Sequence, residues 1–312
     1  MVHKKIEVTA ELAGRADGVA QKLTGLSRSQ IRGLFDHGCV SINGQPCNDN
    51  GTKVKCGDVI EARYDAHRRY HERARSWEDD AFRIVFEDAH LIVVDKAAGV
   101  LTVPSLLGET DTLVHAVSDY FAHRGVRGRA QLVHRLDRDA SGLLIFGKSR
   151  EIADKLQSQF EERKPEREYM ALVKGVMPAE GTFESYLMSS KSLQQYSTKR
   201  PGEGQLAITH FRLEKVLQEA SWVRAWLETG RRNQIRVHFA EAEHPVLGDP
   251  RYRPDLSQHP RWRAKRLALH ALVLGFRHPV TEKMLRFEAP VPAAMKAFVN
   301  SPLRRPSKSR HS

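Results

Sequence analysis

His134-Arg135-Leu136-Asp137-Arg138-Asp139-Ala140-Ser141-Gly142-Leu143-Leu144 is the stretch around which the rest of the chain is organised. Residues 131–136 before it and 143–148 after it both have strand character. The chain therefore leaves one strand, makes a charged turn and enters another strand at once. Strand-end turns are where active sites are commonly built. Four charged residues and a Ser-Gly pair stand between apolar strands, more than a purely structural turn needs. The residues alone identify a functional loop and leave its chemistry open.

Working outward, residues 81–300 read as one large domain. Residues 82–86 alternate as a strand should, and Leu91-Ile92-Val93-Val94 suits a fully buried strand. Residues 112–123 read as a helix, and Ile152, Leu156 and Phe160 give a second helical spacing. Strand patterns follow at 169–173, 209–216 and 222–228. Residues 234–243 look helical, and strands at 268–276 and 284–289 close the domain. Strands with a few interspersed helices, without regular βαβ alternation, predict an α+β fold: a mixed, largely antiparallel central sheet with flanking helices. No internal repeat is visible.

Residues 14–64 form a smaller α/β unit. Ser27 and Gln30 fit a capping box that opens a helix, and Ile31, Leu34 and Phe35 share its apolar face. Gly38 is placed to end it. Asn43-Gly44 is a strong two-residue hairpin signal. Arg28 and Arg32, four apart, share a face away from the apolar stripe. Residues 65–80, DAHRRYHERARSWEDD, read as a basic linker, and residues 301–312, SPLRRPSKSRHS, as a basic disordered tail.

The 312 residues carry a formal net charge of +12, which favours a polyanionic partner. Cys39, Cys47 and Cys56 form no C-x-x-C pair, so neither a zinc site nor a disulfide framework is expected. The first residues lack a signal-peptide core, and no apolar run reaches the length of a membrane span. A soluble, cytoplasmic protein that does not engage a membrane is expected.

HRLDRDASGL at 134–143 is similar to the catalytic motif of the RluA-type RNA pseudouridine synthases, HRLD followed by a basic residue and then T-S-G-L. Arg167-Glu168-Tyr169-Met170-Ala171-Leu172-Val173 resembles that family's tyrosine motif. Thr229-Gly230-Arg231-Arg232-Asn233-Gln234-Ile235-Arg236-Val237-His238 resembles its third motif, usually TGRTHQIRVH. His244-Pro245-Val246-Leu247-Gly248-Asp249 and Leu269-His270-Ala271 also fit, in the family's order. Residues 14–64 separately resemble an S4-type RNA-binding domain.

The resemblance implies isomerisation of uridine to pseudouridine, with Asp137 as the catalytic carboxylate, Arg236 as the cation that keeps it ionised and Tyr169 against the target base. Ile235 would pack on the other side of the base. Arg135 would support the flipped nucleotide, and Arg167 stands where the family often has lysine. Arg28 and Arg32 would contact RNA from the S4-like unit. Neither cofactor nor metal is implied, and a monomer acting on RNA is expected, with large-subunit ribosomal RNA first and transfer RNA second. Ala140 departs from the usual threonine, and Arg232-Asn233 from the usual threonine-histidine. Arg15-Ala16-Asp17 departs from the arginine-leucine-aspartate that opens an S4 unit. A noncatalytic S4-type RNA-binding or ribosome-assembly protein is the competing reading. A hydrolase using His134 and Asp137 is weaker, since no G-x-S-x-G nucleophile motif accompanies them.

Overall fold

Ser141–Gly147 is buried along its whole length, and this decides where the charged loop sits. The computed structural model describes residues 1–68, 70, 79–105, 108–190, 194–200 and 202–301. Most of the 65–80 linker, and the 301–312 tail beyond Ser301, lie outside the described residues. Two compact units divide the chain, Met1–Trp77 and Glu78–Ser312.

In the smaller unit, β1 (Val2–Glu7), β2 (Gly14–Arg15), α1 (Ala16–Thr24), α2 (Arg28–Asp36), β3 (Val40–Ile42), β4 (Gln45–Pro46), β5 (Lys53–Val54) and β6 (Val59–Tyr64) follow in order. The Ser27 side chain accepts from the Gln30 amide, and the Gln30 side chain accepts from the Ser27 amide, so the capping box is closed. Ile31, Leu34 and Phe35 then point into a core with Val19, Ala20, Ile60 and Ala62. Asn43 and Gly44 both take positive φ, 52° and 80°, as a tight hairpin turn requires. The unit extends past both ends of the 14–64 stretch. β1 pairs with β6, and Tyr70 is buried with its hydroxyl accepting from the Asp65 amide at 2.8 Å.

The larger unit contains β7 (Phe82–Glu87), β8 (Leu91–Lys96), α3 (Leu113–His123), β9 (Gln131–Leu132), β10 (Ser141–Gly147), α4 (Arg150–Glu161), β11 (Glu166–Lys174) and β12 (Glu180–Ser189). It continues with β13 (Gln195–Thr198), β14 (Gln205–Leu217), β15 (Ala220–Leu227), α5 (Gln234–Glu241), β16 (Leu269–Arg277), β17 (Met284–Glu288) and α6 (Ala293–Asn300). Its strands join in one sheet, with β13-β12-β14-β15-β11-β16-β10-β8-β7 in order, β17 beside β16 and β9 beside β10. Among the described residues the pairing is antiparallel except between β10 and β16. The fold is thus α+β on a mixed, mainly antiparallel sheet. Leu143 and Ile145 of β10 pack with Ile152 and Leu156 of α4 and with Leu274 and Phe276 of β16. No helix among the described residues is long and apolar enough to cross a membrane.

The strand expected over 131–136 stops at Leu132. Beyond it the backbone is satisfied by a side chain instead of a ladder. Thr102 Oγ1 donates to the Leu136 carbonyl at 2.8 Å and accepts from the Leu136 amide at 3.2 Å. This frees Asp137 from the sheet's geometry.

Ala271 of β16 is registered with Gly142 on one side and with Tyr169 of β11 on the other. The exit of the charged loop and the tyrosine therefore lie one strand apart. Gly142 has φ 115°, and a Cβ there would sit 2.2 Å from the Ala271 carbonyl oxygen. Only glycine fits. Gly142→Ala is expected to destabilise the larger unit by about 3 kcal/mol or more, from steric overlap and backbone strain together. A thermal melt reads this as a fall of roughly 6–12 °C.

Two buried histidines tie the site's elements together. Arg266 Nη2 donates to Ser141 Oγ at 2.7 Å, and Ser141 Oγ lies 2.8 Å from His270 Nδ1. Ser141 thus links Arg266 to a buried imidazole. His238 of α5 contacts Thr209 and Ser185 through its two ring nitrogens, at 2.9 and 3.0 Å. Burial pushes His238 down to about 4, and burial with the nearby Arg266 charge does the same to His270. In the unfolded chain both would protonate near 6.5. The unfolded state thus holds more protons between these values, so stability is expected to fall as pH drops from about 6.5 towards about 4. Urea midpoints measured across this range check it, and substituting His238 and His270 with glutamine should flatten the slope.

Candidate active site

Helix α5 is buried from Gln234 through Ala240, so a charged side chain on it must find partners inside the protein. The turn leading into it is fixed by Gln234. Its side-chain oxygen accepts from Thr229 Oγ1 at 2.8 Å and from the Arg231 amide at 2.9 Å, and its nitrogen donates to the Ile208 carbonyl. Two residues on, Arg236 meets Asp249. Nε and Nη2 donate to the two carboxylate oxygens at 2.7 Å each. The fork is then full on one edge, and the remaining Nη1 donates to Asp137 Oδ2 at 3.2 Å. The Tyr252 ring lies against the guanidinium, 5.1 Å from centroid to Cζ.

Asp249 is held as firmly as it holds. Its Oδ1 also accepts from the Arg251 and Tyr252 amides at 2.9 and 3.0 Å. The loop before it is stitched to the sheet by the Val246–Val173 bridge and by the Leu247 amide on the Leu172 carbonyl at 2.8 Å. The side chain of Asp249 is 0% exposed and that of Arg236 7%, whereas Asp137 retains 20%. Of the two carboxylates on this arginine, Asp137 is the one a substrate can reach.

The loop carrying Asp137 has its own anchor. Lys96, at the end of β8, is fully buried, and its ammonium donates to the carbonyls of Ala97, Val100 and Arg138 at 2.8, 2.8 and 3.0 Å. Burial pushes its pKa down to about 7 against the opposing pull of Asp137 and Asp139. Asn233, just before α5, closes the cluster. Its amide is oriented with the nitrogen towards Asp137, at 2.7 Å from Oδ1 and 3.1 Å from Oδ2, while its oxygen accepts from the Tyr252 hydroxyl at 2.8 Å. The opposite orientation would aim the amide oxygen at a carboxylate.

Asp137 and Arg236 are thus in direct contact. Tyr169 is buried on β11, where burial pushes its phenol upward and keeps it protonated at neutral pH. Ile235 is also buried, next to Arg236. Arg167 packs its Nη1 so closely on Gly230 that a Cβ there would lie 2.5 Å away, and its guanidinium sits 5.5 Å from the Phe160 ring. Its Nη2 approaches the Glu228 carbonyl at 3.4 Å. The guanidinium therefore braces the turn into α5. Arg135 is exposed. Arg28 and Arg32 are exposed on α2, in the other unit, where they line a cleft of about 560 Å³ with Arg15 and Lys22. Asp249, Tyr252 and Lys96 were not singled out from sequence. The signal available for Asp249 was its place in the HPVLGD segment; for Lys96 it was a lysine directly ending an apolar strand.

The sequence profile of the RNA pseudouridylate synthases matches residues 90–241, and that of the S4 domain matches residues 17–60. Over 308 residues the chain is 35% identical to the ribosomal large subunit pseudouridine synthase D of Zymomonas mobilis, covering 95% of this chain and 96% of that one. It is 34% identical to the protein of the same name from Vibrio cholerae, covering 95% and 94%. Among solved structures, human RNA pseudouridylate synthase domain containing 4 superposes with a TM-score of 0.55 at 22% identity, over 69% of this chain and 91% of that one. Human RNA pseudouridylate synthase domain containing 1 gives 0.54 at 21% identity, over 73% and 100%. Those two establish a shared fold. The near full-length identity to the bacterial enzymes carries the assignment further: the chain belongs to the RluA-type family of RNA pseudouridine synthases and bears an S4 domain ahead of its catalytic unit.

Proposed function

We propose that the chain converts specific uridines of large-subunit ribosomal RNA to pseudouridine, with Asp137 as the reacting carboxylate. The observation that carries this reading is the shared guanidinium of Arg236, which saturates the buried Asp249 and offers its last edge to the more accessible Asp137. The names of the Zymomonas and Vibrio relatives support the choice of RNA. A protein that only bound RNA would have no use for this buried charge array, whose desolvation is costly.

The reaction breaks the C1′–N1 bond, forms a C1′–C5 bond, and exchanges the C5 proton for one on N1. Positive character builds at C1′ as the first bond lengthens, and a carboxylate held ionised beside it stabilises that centre or attacks it, as in glycosidases. Arg236 holds the Asp137 carboxylate in place through Nη1. Tyr169 offers a flat apolar face for the uracil ring and a protonated hydroxyl. Ile235 is a second apolar wall. The uridine must leave its stack to reach this pocket, and the exposed Arg135 is free to contact the displaced backbone. In the S4 domain, Arg28 and Arg32 meet phosphates.

Asp137→Asn, nearly isosteric, is expected to lower the rate of pseudouridine formation by at least about 10³-fold with RNA affinity unchanged. Site-specific pseudouridine mapping on ribosomal RNA treated with each protein reads the rate, and a filter-binding titration reads the affinity. An asparagine variant of ordinary activity would remove Asp137 from the reaction. Replacing Arg28 and Arg32 together with alanine should weaken RNA binding and shrink the slope of log K against log salt by about 1.5, two phosphate contacts' worth. Titration at several salt concentrations checks this.

A further inference from the structure

Asn233 stands in an unusual position for its type. It occupies the N-cap of α5 with φ 56°, in the left-handed region, and is buried. Asparagine at an N-cap ordinarily turns its side chain onto the helix's free amides, which is worth about 1 kcal/mol. Here the side chain makes no capping hydrogen bond. It points instead between Asp137 and Tyr252, touching both carboxylate oxygens and the tyrosine hydroxyl. The helix forgoes its cap, and the amide is committed to the carboxylate.

The same tyrosine supports both groups that hold Asp137. Its ring lies against Arg236, its backbone amide binds Asp249, and its hydroxyl fixes the Asn233 oxygen. The hydroxyl also accepts from the Gln195 amide at 3.2 Å, so its proton is directed away from Gln195 and towards Asn233. With the oxygen end of the amide pinned, the nitrogen end has one orientation, facing Asp137. Arg236 reaches only Oδ2. Asn233 supplies the contact to Oδ1 and thereby sets the rotation of the carboxylate plane.

We propose that Asn233 is a positioning residue for the isomerisation: a donor without charge, oriented by Tyr252, that fixes which edge of Asp137 faces the nucleotide. The inference rests on the reading of Asp137 as the reacting carboxylate. An amide suits this task because it cannot ionise, so the orientation it imposes is independent of its own protonation state. Arg236 already carries the cation, and a second buried cation would demand a second counter-ion.

The test compares kcat and KM for pseudouridine formation in Asn233→Gly, Asn233→Asp and Asn233→His, with Asp137→Asn as reference. Glycine, aspartate and histidine all tolerate a left-handed backbone, so the turn into α5 is kept. Asn233→Gly should lower kcat about 10- to 100-fold with KM unchanged, the loss of hydrogen bonds to a charged group. Asn233→Asp keeps shape and capping ability but sets a like charge beside Asp137, and should lose more than the glycine variant. Asn233→His, which restores an N–H donor, should recover much of the glycine variant's loss. Equal kcat in Asn233→Gly and the native protein, alongside an inactive Asp137→Asn, overturns the inference. So does an aspartate variant as active as the native protein, or a histidine variant no better than glycine, since either assigns residue 233 to the turn alone. An active Asp137→Asn instead overturns the reading on which the inference rests.

Discussion

One guanidinium divided between two carboxylates is the constraint on which the site depends. Arg236 gives its fork edge to Asp249 and a single N–H to Asp137. The division is unequal for a physical reason. Bidentate pairing fixes both position and rotation, whereas a single hydrogen bond fixes only distance. Asp249, buried and clasped by two backbone amides, is structural ballast for the arginine. Asp137 is left with its position set and one oxygen still to be oriented, which is where Asn233 enters. A site in which Arg236 faced Asp137 alone would leave a buried cation free to turn with its substrate.

The sheet supplies the frame for that array. Strand β16 runs parallel to β10 and antiparallel to β11, and so carries the loop's exit on one edge and Tyr169 on the other. The close approach at Gly142 draws the two strands together at the residue where the loop becomes strand. Lys96 then draws the Arg138 carbonyl inward from beneath. A buried lysine satisfied by three carbonyls costs desolvation and gains no ion pair. Its effect is to hold a turn whose own backbone has little regular structure.

Much of this was legible in the sequence, and the limits have identifiable causes. The capping box, the Asn-Gly hairpin and the apolar strands β8, β10 and β16 follow from local chemistry and periodicity. Strands β12 and β13 were not read, because β12 is largely exposed or half-buried and β13 lies at the edge, so their residues carry little apolar alternation. The segment before Asp137 reads as strand as far as Leu136, although QLVHRL carries an apolar Leu-Val pair and no strict alternation. Its departure depends on Thr102, which lies 34 residues away and has no sequence signature. At the site, Asp137, Tyr169 and Arg236 came from motif resemblance, not from spacing. The chemistry of Asn233 was invisible there: it registered only as a departure from the family pattern, and its use is set by Tyr252, a residue outside that motif.

The Ser141–His270 contact joins residues 129 apart in sequence, and they are also the first rungs of the parallel β10–β16 pair. Such a junction has high contact order, and parallel pairing of distant strands is slow to form. It also has a consequence for synthesis. At about 5–20 residues per second, a ribosome makes the intervening chain in roughly 6–26 s. Throughout that interval the Ser141–Gly142 end of β10 waits for its β16 partner, since β9 covers that edge only at Phe146 and Gly147. The S4 domain, complete far earlier, can fold meanwhile. The catalytic array closes last, when β16 arrives, so the vulnerable stage of this protein's life is the wait for its penultimate strand.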